Sequence, residues 1–510
     1  MPNEIELKFD VAPGALRQLE ASPLFRKREG ESAGYVKLVS VYFDTNKYKL
    51  RDEGISLRVR YAQGKIFQTI KTGRLTAPVI RQEWEVEIDG DIPDLAQVQG
   101  TPLELLATTK LKRKLRPIFE TNVRRRAVLR EMNGALIELT VDRGRITTGN
   151  HSKSIYEVEL ELKAGEVSDL IDVASQLIGT LPARYNAGSK AELGYALAEN
   201  RLVEAVHREP IDLDRDATVG DSFEAIGLSC LRHFVRNEGA VLKGDAEGVH
   251  QMRVGLRRLR TAISLFKDIL QDTETSERKG QLKWLTDEFG SARNYDVFVK
   301  ASSAALQAPP PRKQAIDDLK SILDGRRANH FNEAKKIVAS DHYQKIVFWT
   351  VAWLLGGVWK TSSDELQKTR REQCVRDFAC RILTKRTRNI GKRIKRLQTL
   401  SPQQRHKLRI AIKKLRYATE FFASLFPTSR TKRKGFVNVL EHLQEVLGKI
   451  NDIGVHTQLA TDVIRAKGTD REMTFALGRM TGVEDSEISS LMAAASKAGT
   501  RLLKLTPFWK

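Results

Sequence analysis

The 510-residue chain has no run of about 18 apolar residues, the length that a membrane-spanning helix requires. It has three cysteines, Cys230, Cys374 and Cys380, spaced neither as a CxxC metal pair nor as a disulfide set. Idle thiols in a reducing cytoplasm are the expectation. No Ser-His-Asp or cysteine-nucleophile arrangement is evident. Aromatics are 7% of the residues, and the basic helices described below lack the interleaved aromatics of a base-stacking platform, so nucleic acid is not the expected partner. The opening residues alternate charged and apolar side chains, unlike the apolar core of a signal peptide. What is present suffices for folding: 41% of the residues are hydrophobic, and the length calls for two or more domains.

The formal charge of +22 is uneven. Residues 1–200 carry 30 Lys and Arg against 28 Asp and Glu, a net of +2, which leaves +20 for residues 201–510. A part that basic points to a polyanionic partner such as nucleic acid, anionic lipid or polyphosphate.

In residues 1–202 the dominant pattern has period two, bounded by Gly, Pro and Asp turns. Strands are predicted at 3–9, 37–44, 55–62, 66–72, 80–88, 123–131, 135–142 and 155–163, with helices near 13–20 and 166–179. The alternating residues are charged: Glu4, Glu6 and Lys8; Arg58 and Arg60; Arg81, Glu83, Glu85 and Glu87; Glu157, Glu159, Glu161 and Lys163. Each set falls on one side of its strand, opposite an apolar side. Rows of glutamates repel one another unless something positive intervenes. A closed antiparallel barrel with a polar lumen accommodates every set. Acids facing bases in that lumen suit a metal-complexed polyphosphate, because carboxylates are hard ligands for Mg²⁺ or Mn²⁺ and Arg or Lys takes phosphoryl oxygens.

The motifs resemble the CYTH superfamily of triphosphate tunnel metalloenzymes. They run in order as Glu4-x-Glu6-x-Lys8, VYFDT with Asp44, LRVR with Arg58 and Arg60, TIK with Lys71, and RQE with Arg81 and Glu83. The Arg124-Arg125-Arg126 cluster, VDRG with Asp142, EVELE with Glu157 and Glu159, and SKAELGY with Lys190 complete the series. The resemblance implies an eight-stranded antiparallel tunnel that hydrolyses a triphosphate. It implies Glu4, Glu6, Glu157 and Glu159 as metal ligands for Mg²⁺ or Mn²⁺, with Asp142 and Glu83 completing the acidic side. Lys8, Arg58, Arg60, Lys71, Arg125 and Lys190 would cradle the phosphates. Leu193 stands where the family commonly has arginine, and which of Arg124 to Arg126 enters the tunnel is open by one residue of register.

Residues 203–216 read as a linker. Beyond them the pattern is helical and contains a repeat: HQMRVGLRRLRTAISLF at 250–266 returns as HKLRIAIKKLRYATEFF at 406–422, and LTDEFGSARNYDV at 285–297 as LQEVLGKINDIGV at 443–455. Two related helical bundles follow, at about 217–340 and 370–510 within an all-α region 217–510. At about 100° per residue, Arg253, Arg257 and Arg260 lie at about 280° to 340° from His250, beside a core face of Leu256, Leu259, Ile263 and Phe266. The second copy offers His406, Arg409, Lys413 and Arg416. Both stripes are expected to be free of acids, so each would repel itself without an anionic ligand. These helices resemble CHAD domains, often found after a CYTH domain. That resemblance implies inorganic polyphosphate as the ligand, and with it a cytoplasmic protein, associated with polyphosphate granules. The whole reads as an α+β two-domain chain: a metal-dependent inorganic triphosphatase that binds polyphosphate. The alternatives are a non-catalytic polyphosphate-binding protein, or a hydrolase of thiamine triphosphate or a nucleotide.

Overall fold

A computed structural model describes residues 5–25, 34–72, 82–132, 134–202, 204–305, 313–465 and 471–509. Glu4 and Arg81 lie outside them. By packing, the chain forms two compact units. One comprises residues 1–209 together with 228–243 and 339–361; the other comprises 210–227, 244–338 and 362–510. The first unit thus takes two helical segments from beyond the 203–216 segment.

In the first unit all eight expected strands form: β1 (Ile5–Val11), β2 (Val36–Asp44), β3 (Ile55–Ala62), β4 (Lys65–Thr72), β5 (Gln82–Glu87), β6 (Arg116–Met132), β7 (Ala135–Thr148) and β8 (His151–Ala164). A ninth, β9 (Ala183–Tyr185), was not expected. It is only three residues long, too short to show a period. The sheet is antiparallel in the order β5-β4-β3-β2-β6-β7-β8-β1-β9. Its ladder is not closed by hydrogen bonds between β5 and β9 among the described residues. It is nevertheless rolled. Lys71 on β4 feels the charge of Lys8 on β1, six places away in the strand order, and Arg60 on β3 feels Arg125. The strands β6 to β8, at 14 to 17 residues, are longer than the alternation alone indicated.

Strand parity puts the apolar residues Leu7, Phe9, Val158 and Leu160 on the outer side, where they are buried. Phe9 packs against Tyr185 and Phe348. Asp44 of the VYFDT stretch has a structural task. Fully buried, it accepts the backbone N–H groups of Thr45, Leu50 and Arg51 and the Tyr195 hydroxyl at 2.6 to 3.0 Å.

The second unit shows the repeat as matched helix pairs. The 20-residue helix Ala246–Leu265 precedes the 33-residue Thr273–Ala305, and the 20-residue Pro402–Phe421 precedes the 36-residue Arg430–Arg465. Asp245 caps the first short helix, and Ser401 with Gln404 forms a capping box on the second. Leu256, Leu259, Ile263 and Phe266 are buried, as the helical spacing requires. Among the described residues no helix is long and apolar enough to cross a membrane.

Candidate active site

The charged alternation places one continuous polar face along the inside of the rolled sheet. On β7, β8 and β1 it is acidic. Asp142 registers with Glu157, and Glu159 with Lys8. Asp142, Glu157 and Glu159 are all buried, with carboxylate oxygens within 4.8 Å of one another. Three such acids held together need cations, and the chain supplies them. Lys190 Nζ reaches Asp142 Oδ2 at 2.8 Å, Glu159 Oε1 at 2.9 Å and also Glu157. Arg125 forks onto Asp142 at 2.8 and 2.6 Å and onto Glu159 at 2.9 Å. Lys8 lies 3.3 Å from Glu159.

Burial alone would push Glu159 up, but Lys190, Lys8 and Arg125 outweigh it and hold the carboxyl well below its ordinary range. Asp142 is lowered against its burial by Lys190 and Arg125. Burial alone would lower the Lys190 ammonium, but Asp142, Glu157 and Glu159 drive it well above the usual lysine value. The donor set is hard oxygen only, and it already holds a cation in its midst. It therefore fits a divalent ion of the Mg²⁺ or Mn²⁺ type.

The other pole is basic. Arg58 and Arg60 on β3 and Lys71 on β4 share the inner face with Glu83 on β5. Glu83 bonds Arg58 at 3.1 Å and pairs with Lys71. Burial and the neighbouring Arg58 lower Lys71. Arg60 donates to the Ser40 hydroxyl at 3.3 Å, and burial with the Arg58 charge lowers it to about 10. This pole carries more positive charge than Glu83 offsets.

Two details differ from the sequence expectation, and one left open is now given. Glu6 pairs with Lys8 at 3.0 Å and is not part of the close acidic group, whose third member is Asp142. Glu83 stands among the bases instead of completing the acidic side, because β5 lies beside β4. The open register is settled for Arg125. Arg124 is exposed over the Tyr35 ring, and Arg126 donates to the Glu20 and Phe25 carbonyls.

In the second unit the two stripes face one cluster. Arg257 feels Arg409, and Lys413 feels Arg257, Arg409, Arg416 and Arg253. Burial and these charges lower Lys413 to about 7, and burial with Arg293 and other neighbours lowers His250 to about 4. Among the described residues, buried Nδ1 of His250 and Nε of Arg253, Arg257 and Arg409 have no hydrogen-bond partner. Arg260 lies at the edge and is lowered by burial.

Arg416 departs from the expectation: it pairs with Glu420, lies 3.8 Å from Glu441 and bonds Gln444. Glu420, one turn along, is an acid on the stripe that was expected to have none. His406 is exposed and bonds the Asn451 side chain, so the two histidines are not equivalent. Arg293, on the long helix of the first pair, joins the cluster by its effect on His250, Arg253 and Arg257. It sits within the second repeated stretch, which was the available signal for it.

The model of the CYTH domain matches residues 2–195, and that of the CHAD domain matches residues 225–461. An inorganic triphosphatase of Haemophilus influenzae is 30% identical over 207 residues, 40% of this chain and 57% of that protein. The matched region therefore spans a little over half the length of that relative. The crystal structure of the CHAD domain from the plant Ricinus communis is 28% identical, with a TM-score of 0.51 over 59% of this chain and 97% of that one. A putative adenylyl cyclase from Hippeastrum, described as having a dominant triphosphatase activity, is 17% identical with a TM-score of 0.28 over 38% of this chain and 96% of its own.

Proposed function

From the premise that this chain is a CYTH domain followed by a CHAD domain, we propose that it hydrolyses inorganic triphosphate in the rolled sheet and binds polyphosphate on its helical cluster. The observation that carries the first half is the opposition of two poles on one inner face. Asp142, Glu157 and Glu159 form the acidic pole, and Arg58, Arg60 and Lys71 the basic one. A polyphosphate chain complexed with a divalent ion has that same duality.

Asp142, Glu157 and Glu159 would hold Mg²⁺ or Mn²⁺, with Glu6 beside them; Glu4 is proposed to join them on the strength of the Glu4-x-Glu6-x-Lys8 motif alone. When bound, the ion supplies Lewis-acid neutralisation of phosphoryl charge. Arg58, Arg60 and Lys71 take phosphoryl oxygens at one end of the substrate, and Lys8, Arg125 and Lys190 at the other. Their work is positioning and charge neutralisation for in-line attack of water on a terminal phosphorus, which is most of what such a transition state demands. Phosphate release from triphosphate, thiamine triphosphate, ATP and long polyphosphate, each with Mg²⁺ and Mn²⁺, tests this reading. Triphosphate as a poor substrate beside another member would move the assignment to that member.

The second half is supported by the Nε donors of Arg253, Arg257 and Arg409, unpartnered among the described residues, which anionic oxygens would satisfy, with His250 beside them. Arg260 and Lys413 extend the cluster. His406 and Arg416 are its less available members. Cytoplasmic polyphosphate granules are the proposed location.

A further inference from the structure

The turn that delivers Lys190 to the acidic group is held from two sides. On the inner side β9 pairs with β1, and the Asn186 backbone N–H donates to the Lys8 carbonyl at 2.8 Å. The Asn186 amide donates to Asp10 at 2.8 Å and to Glu157 at 3.4 Å, and the Gly188 N–H returns to the Asn186 side-chain oxygen at 2.7 Å. Ser189 then caps the helix Lys190–Ala198.

On the other side stands Arg232, on the helix Val219–Val235 and only 2% exposed. One terminal nitrogen of its guanidinium donates to the Ala187 carbonyl, the other to Glu192 Oε1. Glu192 Oε2 accepts the Ser189 N–H at 3.0 Å, the reciprocal half of the capping box. Arg232 therefore grips the residues that flank Lys190 in the chain, before and after the helix start.

Such a grip has physical reasons. Lys190 is the first residue of a helix, where the exposed N–H groups disfavour a cation. A lysine ammonium rides on a flexible four-carbon stem, so any play in its backbone origin adds to the play of its charge. The planar guanidinium can hold two acceptors in set directions, which an ammonium cannot. Burying a guanidinium is costly unless acceptors match it, and Arg232 has the Ala187 carbonyl, Glu192 and, at 3.7 Å, Glu209.

We propose that Arg232 is a positioning residue for the triphosphate site, fixing the 187–192 turn and thereby the Lys190 ammonium against Asp142, Glu157 and Glu159. The proposal rests on the hydrolase reading above, so its test needs one readout that does not depend on turnover.

The full chain is compared with Arg232→Met, Arg232→Lys, Lys190→Ala and the Arg232→Met/Lys190→Ala double variant. Steady-state rates are measured on triphosphate with Mn²⁺, and triphosphate binding by calorimetry in EDTA. Arg232→Met is expected to raise KM and the metal-free Kd about tenfold while kcat changes less than about threefold. Arg232→Lys should fall between it and the unaltered chain. In the Lys190→Ala background the Arg232 substitution should change either constant less than about twofold, because its route of action is gone.

Losses that multiply in the double variant would overturn the proposal and leave Arg232 a packing residue. So would unaltered constants in Arg232→Met. If the methionine variant loses its cooperative melt, the lysine variant carries the same cycle. An unaltered chain that binds triphosphate but releases no phosphate refutes the hydrolase reading, and the EDTA cycle still decides the role of Arg232. An unaltered chain that neither binds triphosphate in EDTA nor releases phosphate from it with Mn²⁺ overturns both; if only the binding in EDTA fails, the KM cycle with Mn²⁺ decides the role of Arg232.

Discussion

Lys190 Nζ lies 2.8 Å from Asp142 Oδ2, a carboxylate wholly shielded from solvent, and the same ammonium also serves Glu159 and Glu157. One side chain from a helix start is therefore the shared counter-charge of the acidic group. Replacing it by methionine leaves the three buried acids with Arg125 and Lys8 as the remaining cations paired to them among the described residues. Lys190→Met should lose about 3 kcal/mol of stability in metal-free buffer, within the range for breaking a buried ion pair. Added Mg²⁺ or Mn²⁺ should recover part of that loss and do far less for the unaltered chain. Urea titrations with and without the ion check this, and an ion-independent loss would count against the metal assignment.

Charge reversal tests the helical cluster. Arg253→Glu and Arg409→Glu should each weaken polyphosphate binding by tenfold or more, about 1.4 kcal/mol per decade. The dependence on salt should become shallower, because fewer ions are displaced, by analogy with other polyanions. Fluorescence titration at several salt concentrations reads both quantities. Equal affinity in the reversed proteins would remove the cluster as the site.

Lys413 gives a pH dependence. In the folded protein it is lowered from the ordinary lysine value of 10.5 to about 7 by burial and then by Arg257, Arg409, Arg416 and Arg253. The free folded protein therefore holds fewer protons there than the unfolded chain, and this group's contribution to stability rises as pH climbs from about 7 towards 10.5. A bound polyanion favours the charged ammonium, so polyphosphate affinity should strengthen as pH falls from 8 to 6, with proton uptake on binding near pH 7.5. Calorimetry in two buffers of different ionisation enthalpy measures that uptake. Lys413→Met should abolish most of it.

Gly194 packs closely against the Phe119 ring. A Cβ added there would lie 2.1 Å from a ring carbon of Phe119, itself stacked on Tyr42 at 4.4 Å. Gly194→Ala should destabilise the first unit by about 1–3 kcal/mol, the usual cost of overpacking, although alanine is the better helix former. Thermal melts check it, and a stabilised variant would show that Phe119 yields freely.

The inner charged face was legible because strand parity is local: alternate residues share a side whatever the strand's partners. The helical stripes and the repeat were legible for the same reason, and the matched short and long helices follow them. What escaped was set by partners far away in sequence. The spacing around Glu83 shows its side of β5 but not that β4 beside it carries Lys71. Arg125 could be told from Arg124 and Arg126 only once β6 was in register with Asp142 on β7. Arg232 gave no sign at all, since its partners lie 40 and 45 residues upstream on another element. Glu420 was readable, one helical turn beyond Arg416, and was missed only because the stripe was ended too soon.

The account stands or falls on Glu159, which touches Lys8, Arg125 and Lys190 together. The decisive measurement is phosphate release from triphosphate by the full chain and by Glu159→Gln, with Mg²⁺, Mn²⁺ or EDTA. The expected result is release that requires the ion and falls by about a hundredfold or more in the variant, the scale of removing a group that stabilises transition-state charge. Release at the unaltered rate by Glu159→Gln, or in EDTA, would contradict it.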